Sequence, residues 1–334
     1  MKTYFVFFLL IVSQIAFSQN KKRIYFKPTT YYSVFSSELK PVLNISPGDT
    51  IYTESIDAEG IDKHGKKVTD RNGGNPLTGP FYINGAEEGD ILVITLIDVS
   101  LNRPSASSFE SFVPRSLPED IVNQFKDQYK PFDWDLDLKK MTGSPKLKQG
   151  HLKNFYINLH PFLGDVGIAP KDSAITTDDA GPYAGNLDFN RLTTGSKLYV
   201  PVFHKGALLL LGDGHAAQGD GEINLAALET SMNFAFTVQL IKNPKIKPDF
   251  PRLEDATYIM AVGLHPSLDS ALKIATKGLL DWVQQDYQLS LEEATQVIGS
   301  SIEYRIPEIA DPKVEVVAMI KKAILKRLAK TPER

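Results

Sequence analysis

The sequence has no cysteine among its 334 residues. This absence excludes a thiol nucleophile, cysteine-ligated zinc and iron–sulfur clusters. It also excludes disulfides, so an exported form of the chain must rely on its hydrophobic core for stability.

Histidine is scarce, with six residues in the chain: His64, His151, His160, His204, His215 and His265. None of them occurs in a His-x-His or His-Glu-x-x-His pattern, so the common zinc-hydrolase signatures are absent. A metal site in this chain must therefore use oxygen ligands to a large extent. Besides His215, only His204 lies near a motif of interest.

Neither an excess of basic charge nor a second long apolar run is present. The chain has 37 Lys and Arg against 40 Asp and Glu, for a net charge of -3. We therefore expect no nucleic-acid partner. Beyond the N-terminus, no run approaches the roughly 18 apolar residues of a membrane span, so we expect no membrane association once a leader is removed.

The N-terminal residues 1–18 have the organisation of a secretory signal peptide. Lys2 precedes an apolar run over 4–12, and Ala16-Phe-Ser18 has the small residues of a cleavage site. The pattern predicts a secreted or periplasmic product, and without cysteine the leader cannot be that of a lipoprotein. A retained N-terminal anchor is the alternative.

Residues 19–250 have the pattern of a β-rich body. Turn signals separate short apolar runs, and residues 91–97 form a nearly continuous β-branched run. Strict alternation over 232–240 predicts a half-buried strand. Residues near 102–159 are more polar and predict an insertion with one short helix. The fold class expected is α+β and mainly β, with a jelly-roll-like β-sandwich as the body.

Residues 251–334 differ in character and predict an α+β C-terminal part packed on the body. Apolar residues at helical spacing predict a helix over 267–288, and Ser290 with Glu293 forms a capping box for a second. A third helix is expected over 314–329.

The richest cluster of functional side chains lies in residues 212–222, Gly-Asp-Gly-His-Ala-Ala-Gln-Gly-Asp-Gly-Glu. Glycines allow the backbone to bring Asp, His and Glu side chains to one point, as a divalent cation requires. A solvated loop or a calcium-like turn is the alternative. The acidic loop 178–188 could complete the same site from a neighbouring strand.

The 212–222 run resembles the signature of the acetamidase/formamidase family. The resemblance continues, in order, through residues 41–50, 75–90, 161–170, 185–188 and 198–207. It implies a β-rich, often oligomeric protein that hydrolyses short linear amides, with a divalent metal in some members. It therefore implies a small amide substrate and a homo-oligomer. The candidate site residues that it supports are Asn186, Asp188, Asp213, His215, Gln218, Asp220 and Glu222.

Our mechanistic hypothesis assigns a role to each of these side chains. His215 with Asp188, Asp213 and Asp220 would hold Zn²⁺, with Ca²⁺, Mg²⁺ or Mn²⁺ as alternatives. Glu222 would act as base and then as acid, and Gln218 or Asn186 would orient the amide carbonyl.

One departure and two alternatives accompany this hypothesis. Many relatives have a His before the first Pro-x-Leu, but none lies between Tyr31 and Pro41 here, so its role falls to Glu38 or is vacant. A Ser-His-Asp mechanism is disfavoured because no Gly-x-Ser-x-Gly occurs. The alternative function is a non-catalytic exported β-sandwich that binds a divalent metal or a glycan.

Overall fold

The structure is a computed structural model that describes residues 21–147 and 149–328. The predicted signal peptide lies outside the described residues. The strands, in chain order, are β1 (Arg23–Tyr25), β2 (Tyr31–Tyr32), β3 (Val34–Phe35), β4 (Leu43–Ile45), β5 (Thr50–Glu54), β6 (Leu77–Ile83), β7 (Ile91–Leu101), β8 (Ser105–Phe109), β9 (Pro131–Asp137), β10 (Thr142–Pro145), β11 (Ile157–Asn158), β12 (Phe162–Gly167), β13 (Ile175–Thr176), β14 (Ala180–Gly181), β15 (Ala184–Asn186), β16 (Lys197–Pro201), β17 (Leu209–His215), β18 (Glu229–Thr230), β19 (Met232–Ile241), β20 (Arg252–Glu254), β21 (Tyr258–His265), β22 (Glu303–Arg305) and β23 (Val314–Lys321).

Among the residues that the structure describes, the helices lie mostly near the C-terminus. They are α1 (Glu119–Val122), α2 (Leu268–Tyr287), α3 (Leu291–Ser301) and α4 (Lys322–Leu325), with 3₁₀ turns at Pro114–Ser116 and Asp220–Glu222. Within the described ranges, no helix combines the length and the apolar character that a membrane crossing would need.

Two large sheets form the body. One has nine strands in the order β1-β5-β19-β7-β16-β20-β21-β23-β22. The other has twelve, with the path β11-β10-β9-β8-β18-β17-β12-β15-β14, and β6 joins β2 and β4 to it by pairing with β17. The prediction of a mainly β fold is confirmed.

The two sheets pack on each other through one large core. Phe81 of β6 meets Phe236 of β19 edge to face, with ring centroids 5.2 Å apart. As the alternation predicted, Met232, Phe234, Phe236 and Val238 are buried in β19. This core supports β17, the strand that carries Asp213 and His215.

The described part of the region near 102–159 contains one short helix, α1, as expected, but also four strands. Strands β8 to β11 extend the twelve-stranded sheet from β18. Ala106 and Leu136 pack with Ala216 and Leu228 in a separate small core. The region is therefore built onto the sheet that carries the site.

The C-terminal part contains the first two of its three predicted helices, α2 and α3. The capping box is present, because Ser290 Oγ accepts from the amide of Glu293 while Glu293 accepts from the amide of Ser290. Strands β20 to β23 continue the nine-stranded sheet, and α2 packs across β21 and β23.

The prediction of a third helix over 314–329 is wrong. Val314–Lys321 is a strand, and only Lys322–Leu325 is helical. In this strand Val316 and Ile320 face the α2 core, whereas Val317 and Met319 face the main core. A strand buried on both faces has a continuous apolar run, which periodicity cannot distinguish from a buried helix.

Candidate active site

The site is centred on His215, the last residue of β17. In the pairing of β17 with β18, His215 lies directly opposite Glu229. Directly opposed residues in an antiparallel pair place their side chains on the same face. Asp213 precedes His215 by two residues and shares that face. Strand register thus brings Asp213, His215 and Glu229 together.

The imidazole of His215 is held on both ring nitrogens. Its Nε2 lies 3.0 Å from Asp213 Oδ2 and 3.2 Å from Glu229 Oε1. Its Nδ1 lies 2.9 Å from Gln218 Oε1. The ring of Phe162 packs edge to face against the imidazole, at 4.9 Å between centroids. The side chain is therefore fully buried and fixed in orientation.

The orientation of Gln218 determines where the imidazole proton lies. Gln218 Nε2 donates to the backbone carbonyls of Asp188, at 2.7 Å, and Pro307, at 3.1 Å. Its Oε1 therefore faces His215, and an amide oxygen can only accept a hydrogen bond. Nδ1 must carry the proton, which leaves Nε2 directed at the carboxylates.

Gly164 of β12 forms the floor between two carboxylates. A Cβ at this position would come within 3.0 Å of Asp188 Oδ1, Asp213 Oδ2 and the His215 ring. The missing side chain thus leaves a small cradle that carboxylate oxygens of both Asp188 and Asp213 occupy. Only glycine permits this close approach.

Several oxygens around the cradle lack a hydrogen-bond donor among the described residues. They are Asp188 Oδ1, Asp213 Oδ1 and Glu229 Oε2. Two triads have ligand atoms within 4.8 Å of one another: Asp213, His215 and Glu229, and Asp188, His215 and Glu222. Buried carboxylate oxygens with an imidazole nitrogen are the donor set of a divalent cation. The residues present fit such an ion.

Three site residues adopt left-handed backbone conformations that are uncommon outside glycine. The φ angles are 45° for Asp188, 54° for Asp213 and 46° for Glu222. Each such position stores of order 1–3 kcal/mol of strain and persists only where the surrounding structure holds it. Strain at three neighbouring acidic residues is typical of a functional site.

A second group of acids adjoins the first. The carboxyl group of Glu222 hydrogen-bonds to that of Glu308, which lies in the segment before β23. Glu308 also accepts from the amide of Asp311, at 2.8 Å. Asn186 connects the groups, because its Nδ2 donates to Asp188 Oδ2 at 2.5 Å and to Asp311 Oδ2 at 3.0 Å.

The charges of the site are strongly perturbed by burial. Burial raises the pKa of Asp188 well above its usual range, and the neighbouring Glu222 adds to the effect. Burial and the neighbouring Glu308 likewise raise the pKa of Glu222. Burial opposes the charge of His215, but Glu229 and Asp213 raise its pKa well above the ordinary value. The negative charges of these two carboxylates thus stabilise the protonated, positively charged imidazole.

A cavity of about 630 Å³ opens onto these acids. Asp188, Asp213, Glu222 and Glu229 contribute to its lining. Arg71 stands at the same cavity and donates to Asp178 Oδ1 at 2.8 Å. In this cavity a small molecule can reach the carboxylate cluster.

The structure brings together most of the candidates selected from the sequence: Asn186, Asp188, Asp213, His215, Gln218 and Glu222. Asp220 lies outside the cluster. Its carboxylate is half-exposed and forms a two-bond ion pair with Arg305, at 2.5 and 2.6 Å. Glu229 stands beside His215 instead.

The structure also shows where His204 and Glu38 lie, the two further residues that the sequence analysis considered. His204 hydrogen-bonds through Nε2 to the carbonyl of Pro170, at 2.8 Å, away from the acidic cavity. Glu38 is exposed and does not line that cavity, so it does not replace the missing first-strand His.

Residues that sequence reasoning missed come from three distant segments: Gly164, Glu229, Glu308 and Asp311. Glu229 could have been predicted by assuming that the strand that follows the motif pairs with the strand that carries His215. The other three carry no local signal.

The fold and the site together define a two-sheet, mainly β protein with a histidine–carboxylate centre suited to a divalent cation. Residues 19–180 and 172–257 match the model of the acetamidase/formamidase family. The chain belongs to that family.

Individual relatives agree with this placement. The chain is 25% identical to a formamidase of Methylophilus methylotrophus over 62% of its length and 63% of the relative's. It is 27% identical to an acetamidase of Mycolicibacterium smegmatis over 50% and 53% of the two lengths. The chain thus spans less than two thirds of these curated relatives. The solved acetamidase of Yersinia enterocolitica superposes with a TM-score of 0.79, at 26% identity over 92% of this chain and 94% of that one.

Proposed function

We propose that this chain hydrolyses the C–N bond of linear amides, converting an amide and water into a carboxylic acid and ammonia. The observation that carries the proposal is the convergence of His215 Nε2 with the Asp213 and Glu229 carboxylates beside an open cavity. Family membership supports the same chemistry, because the matched relatives are named formamidase and acetamidase.

The proposal includes a divalent cation, Zn²⁺ in the first instance and Ca²⁺ or Mg²⁺ as alternatives. Asp213, His215 and Glu229 would hold it, with Asp188 next to them across Gly164. When bound, such an ion would supply Lewis-acid polarisation of the amide carbonyl and lower the pKa of a nearby water. Neither thiol nor serine chemistry is needed.

Proton transfer falls to Glu222 in this proposal. Its carboxyl group belongs to the His215 cluster and also lies beside that of Glu308, and burial together with Glu308 raises its pKa. It would accept a proton from the attacking water and donate it to the departing nitrogen, so that ammonia leaves as the C–N bond breaks. Glu308 would hold the proton between these steps.

Gln218 and Asn186 act as positioning residues in this scheme. All polar atoms of the Gln218 amide are used to hold His215 and two backbone carbonyls. The Nδ2 of Asn186 holds two carboxylates, and its Oδ1 accepts from Asn75 at 3.1 Å. Both amides are thus engaged with the protein rather than with a substrate carbonyl.

We also propose that the N-terminal segment directs export to the periplasm or the medium, and that the chain forms a homo-oligomer. The support is the leader pattern and the family resemblance. N-terminal sequencing of the protein recovered outside the cytoplasm, together with light scattering, tests both. An intact leader or a monomer would contradict the respective proposal.

The activity is tested by measuring ammonia release from formamide, acetamide and propionamide. Replacing Glu222 by Gln removes the proton carrier and should lower kcat by roughly 10²- to 10⁴-fold. His215→Ala should abolish both the activity and cation binding, whereas the exposed Glu292→Gln serves as the control. Full activity in protein stripped of metal would contradict the proposed role of a divalent cation. Stoichiometric cation binding without ammonia release would favour a non-catalytic binding module.

A further inference from the structure

The cavity beside the carboxylates is far larger than a short amide. Acetamide has four non-hydrogen atoms and displaces roughly 100 Å³, judged from about 30 Å³ per water molecule. The cavity measures about 630 Å³. Cavities between about 300 and 1000 Å³ accommodate drug-sized ligands. Acetamide would leave most of this space to solvent.

The apolar part of the cavity lining includes two aromatic rings. Its residues include Phe109, Tyr129, Pro131, Leu225, Ala226 and Ala310. The rings of Phe109 and Tyr129 meet edge to face, with centroids 5.7 Å apart. Tyr129 is 67% exposed, although removing the apolar surface of its ring from water would be energetically favourable. A ligand in the cavity would cover it.

Strand register determines how far Phe109 lies from the carboxylate of Glu229. Ser107 of β8 pairs directly with Glu229 of β18. Phe109 lies two residues further along β8 on the same face, which is about 7 Å at about 3.4 Å per residue. The methyl group of acetamide is too short to span this distance. A phenyl ring on two methylene groups spans it.

The charges of the cavity select against an anionic substituent. Arg71 is the one cationic side chain among the described residues that line it. That guanidinium is already bound to Asp178 at 2.8 Å and lies 3.7 Å from Glu59. The remaining charged lining is acidic, so a carboxylate or phosphate on the substrate would be repelled.

We infer that Phe109 and Tyr129 form an acyl-binding subsite, and that the substrates are neutral primary amides with an extended apolar, preferably aromatic, acyl group. This inference rests on the proposed amide hydrolysis. The carboxamide would lie at Asp213, His215 and Glu229, while the acyl chain would run along β8 to the two rings.

The experiment compares kcat/KM for 3-phenylpropionamide with that for acetamide. We expect the aromatic amide to be preferred at least about tenfold, from the additional apolar surface that it buries. Tyr129→Ala should reduce this ratio about tenfold, and Tyr129→Phe should retain it, because the ring rather than the hydroxyl forms the contact. Tyr129 is exposed, so its removal should not unfold the chain.

The matched control is Phe155→Ala. Phe155 is also a partly exposed aromatic of the same region, but it lines a neighbouring cleft of about 1320 Å³. It should leave the ratio unchanged. If Phe155→Ala but not Tyr129→Ala removes the preference for 3-phenylpropionamide, the acyl group lies in the other cleft and the inference is overturned. Equal kcat/KM values of the wild type for both amides would also overturn it.

Saturation-transfer NMR with 3-phenylpropionamide separates the subsite from the activity. If no amide is hydrolysed but the phenyl protons receive saturation in wild type and not in Tyr129→Ala, the subsite stands and the proposed hydrolysis fails. If acetamide is hydrolysed and the phenyl protons receive none, the hydrolysis stands and the subsite fails. Absence of both contradicts both.

Discussion

Gln218 Oε1 lies 2.9 Å from His215 Nδ1, and this contact keeps a proton on Nδ1 and leaves Nε2 facing the carboxylates. Because Gln218 Nε2 is bound to two backbone carbonyls, the amide cannot turn over without losing both hydrogen bonds. A histidine ligand typically donates its second N–H to such a partner, which sets the tautomer and the ring orientation.

Replacing Gln218 by Leu should weaken cation binding without removing a ligand. We expect the affinity for Zn²⁺ to fall about 10- to 100-fold, the usual cost of losing an outer partner of a histidine ligand. Calorimetric titration of metal-depleted protein measures this. Gln296→Leu, on the exposed face of α3, is the control. An affinity within twofold of wild type would show that Gln218 does not set the tautomer.

Gly164→Ala tests the cradle between Asp188 and Asp213. The added methyl group would contact both carboxylates, so we expect loss of cation binding and a destabilisation of about 1–3 kcal/mol from overpacking. Gly299→Ala in α3 meets nothing within 4 Å and should be neutral or stabilising by up to about 1 kcal/mol. Chemical denaturation and metal titration distinguish the two variants. Unchanged binding in Gly164→Ala would contradict the proposed cation position.

Asp213→Asn and Asp220→Asn form a matched pair within one motif. Asp213 is buried beside His215, and its replacement should reduce cation affinity by more than the roughly 10- to 100-fold typical of outer partners. Asp220 pairs with Arg305 at the surface, so its replacement should leave the affinity unchanged and cost about 0–1 kcal/mol of stability. The metal content of both purified variants shows which of the two carboxylates is a ligand. Loss of metal from Asp220→Asn would restore it as a ligand.

Glu254 should make the stability of the fold depend on acid pH. Burial opposes its ionisation, but hydrogen bonds from Lys197, Lys322 and Tyr199 lower its pKa from 4.5 to about 2. Because the folded pKa lies below the unfolded one, the stabilisation is complete above about pH 4.5 and disappears as the pH falls towards 2.

The corresponding variant is Glu254→Gln. Above about pH 4.5 we expect it to lower the free energy of unfolding by about 1–2 kcal/mol, after allowance for solvent screening. The difference from wild type should shrink between pH 4.5 and 2, as urea denaturation at several pH values would show. The exposed Glu88→Gln is the control. A difference that does not change with pH would exclude ionisation of Glu254 as its cause.

Local patterns were sufficient where one element determines its own structure. Alternation predicted the buried face of β19, and the capping box predicted the start of α3. The same patterns failed at Val314–Lys321, because both faces of that strand are covered by elements far away in the chain. Burial on two sides removes the periodicity that distinguishes strand from helix.

The sequence by itself determined the β-rich class, the motif at 212–222 and the types of side chain available for chemistry. Only the tertiary structure decided which of them meet. Strand register places Glu229 opposite His215, and the close passage of β12 brings Gly164 under Asp188 and Asp213. The 3₁₀ turn at Asp220–Glu222 leaves Asp220 at the surface while Glu222 is buried against Glu308. Spacing along a chain sets which residues can share a face, but distances between segments depend on how the sheets pair and pack.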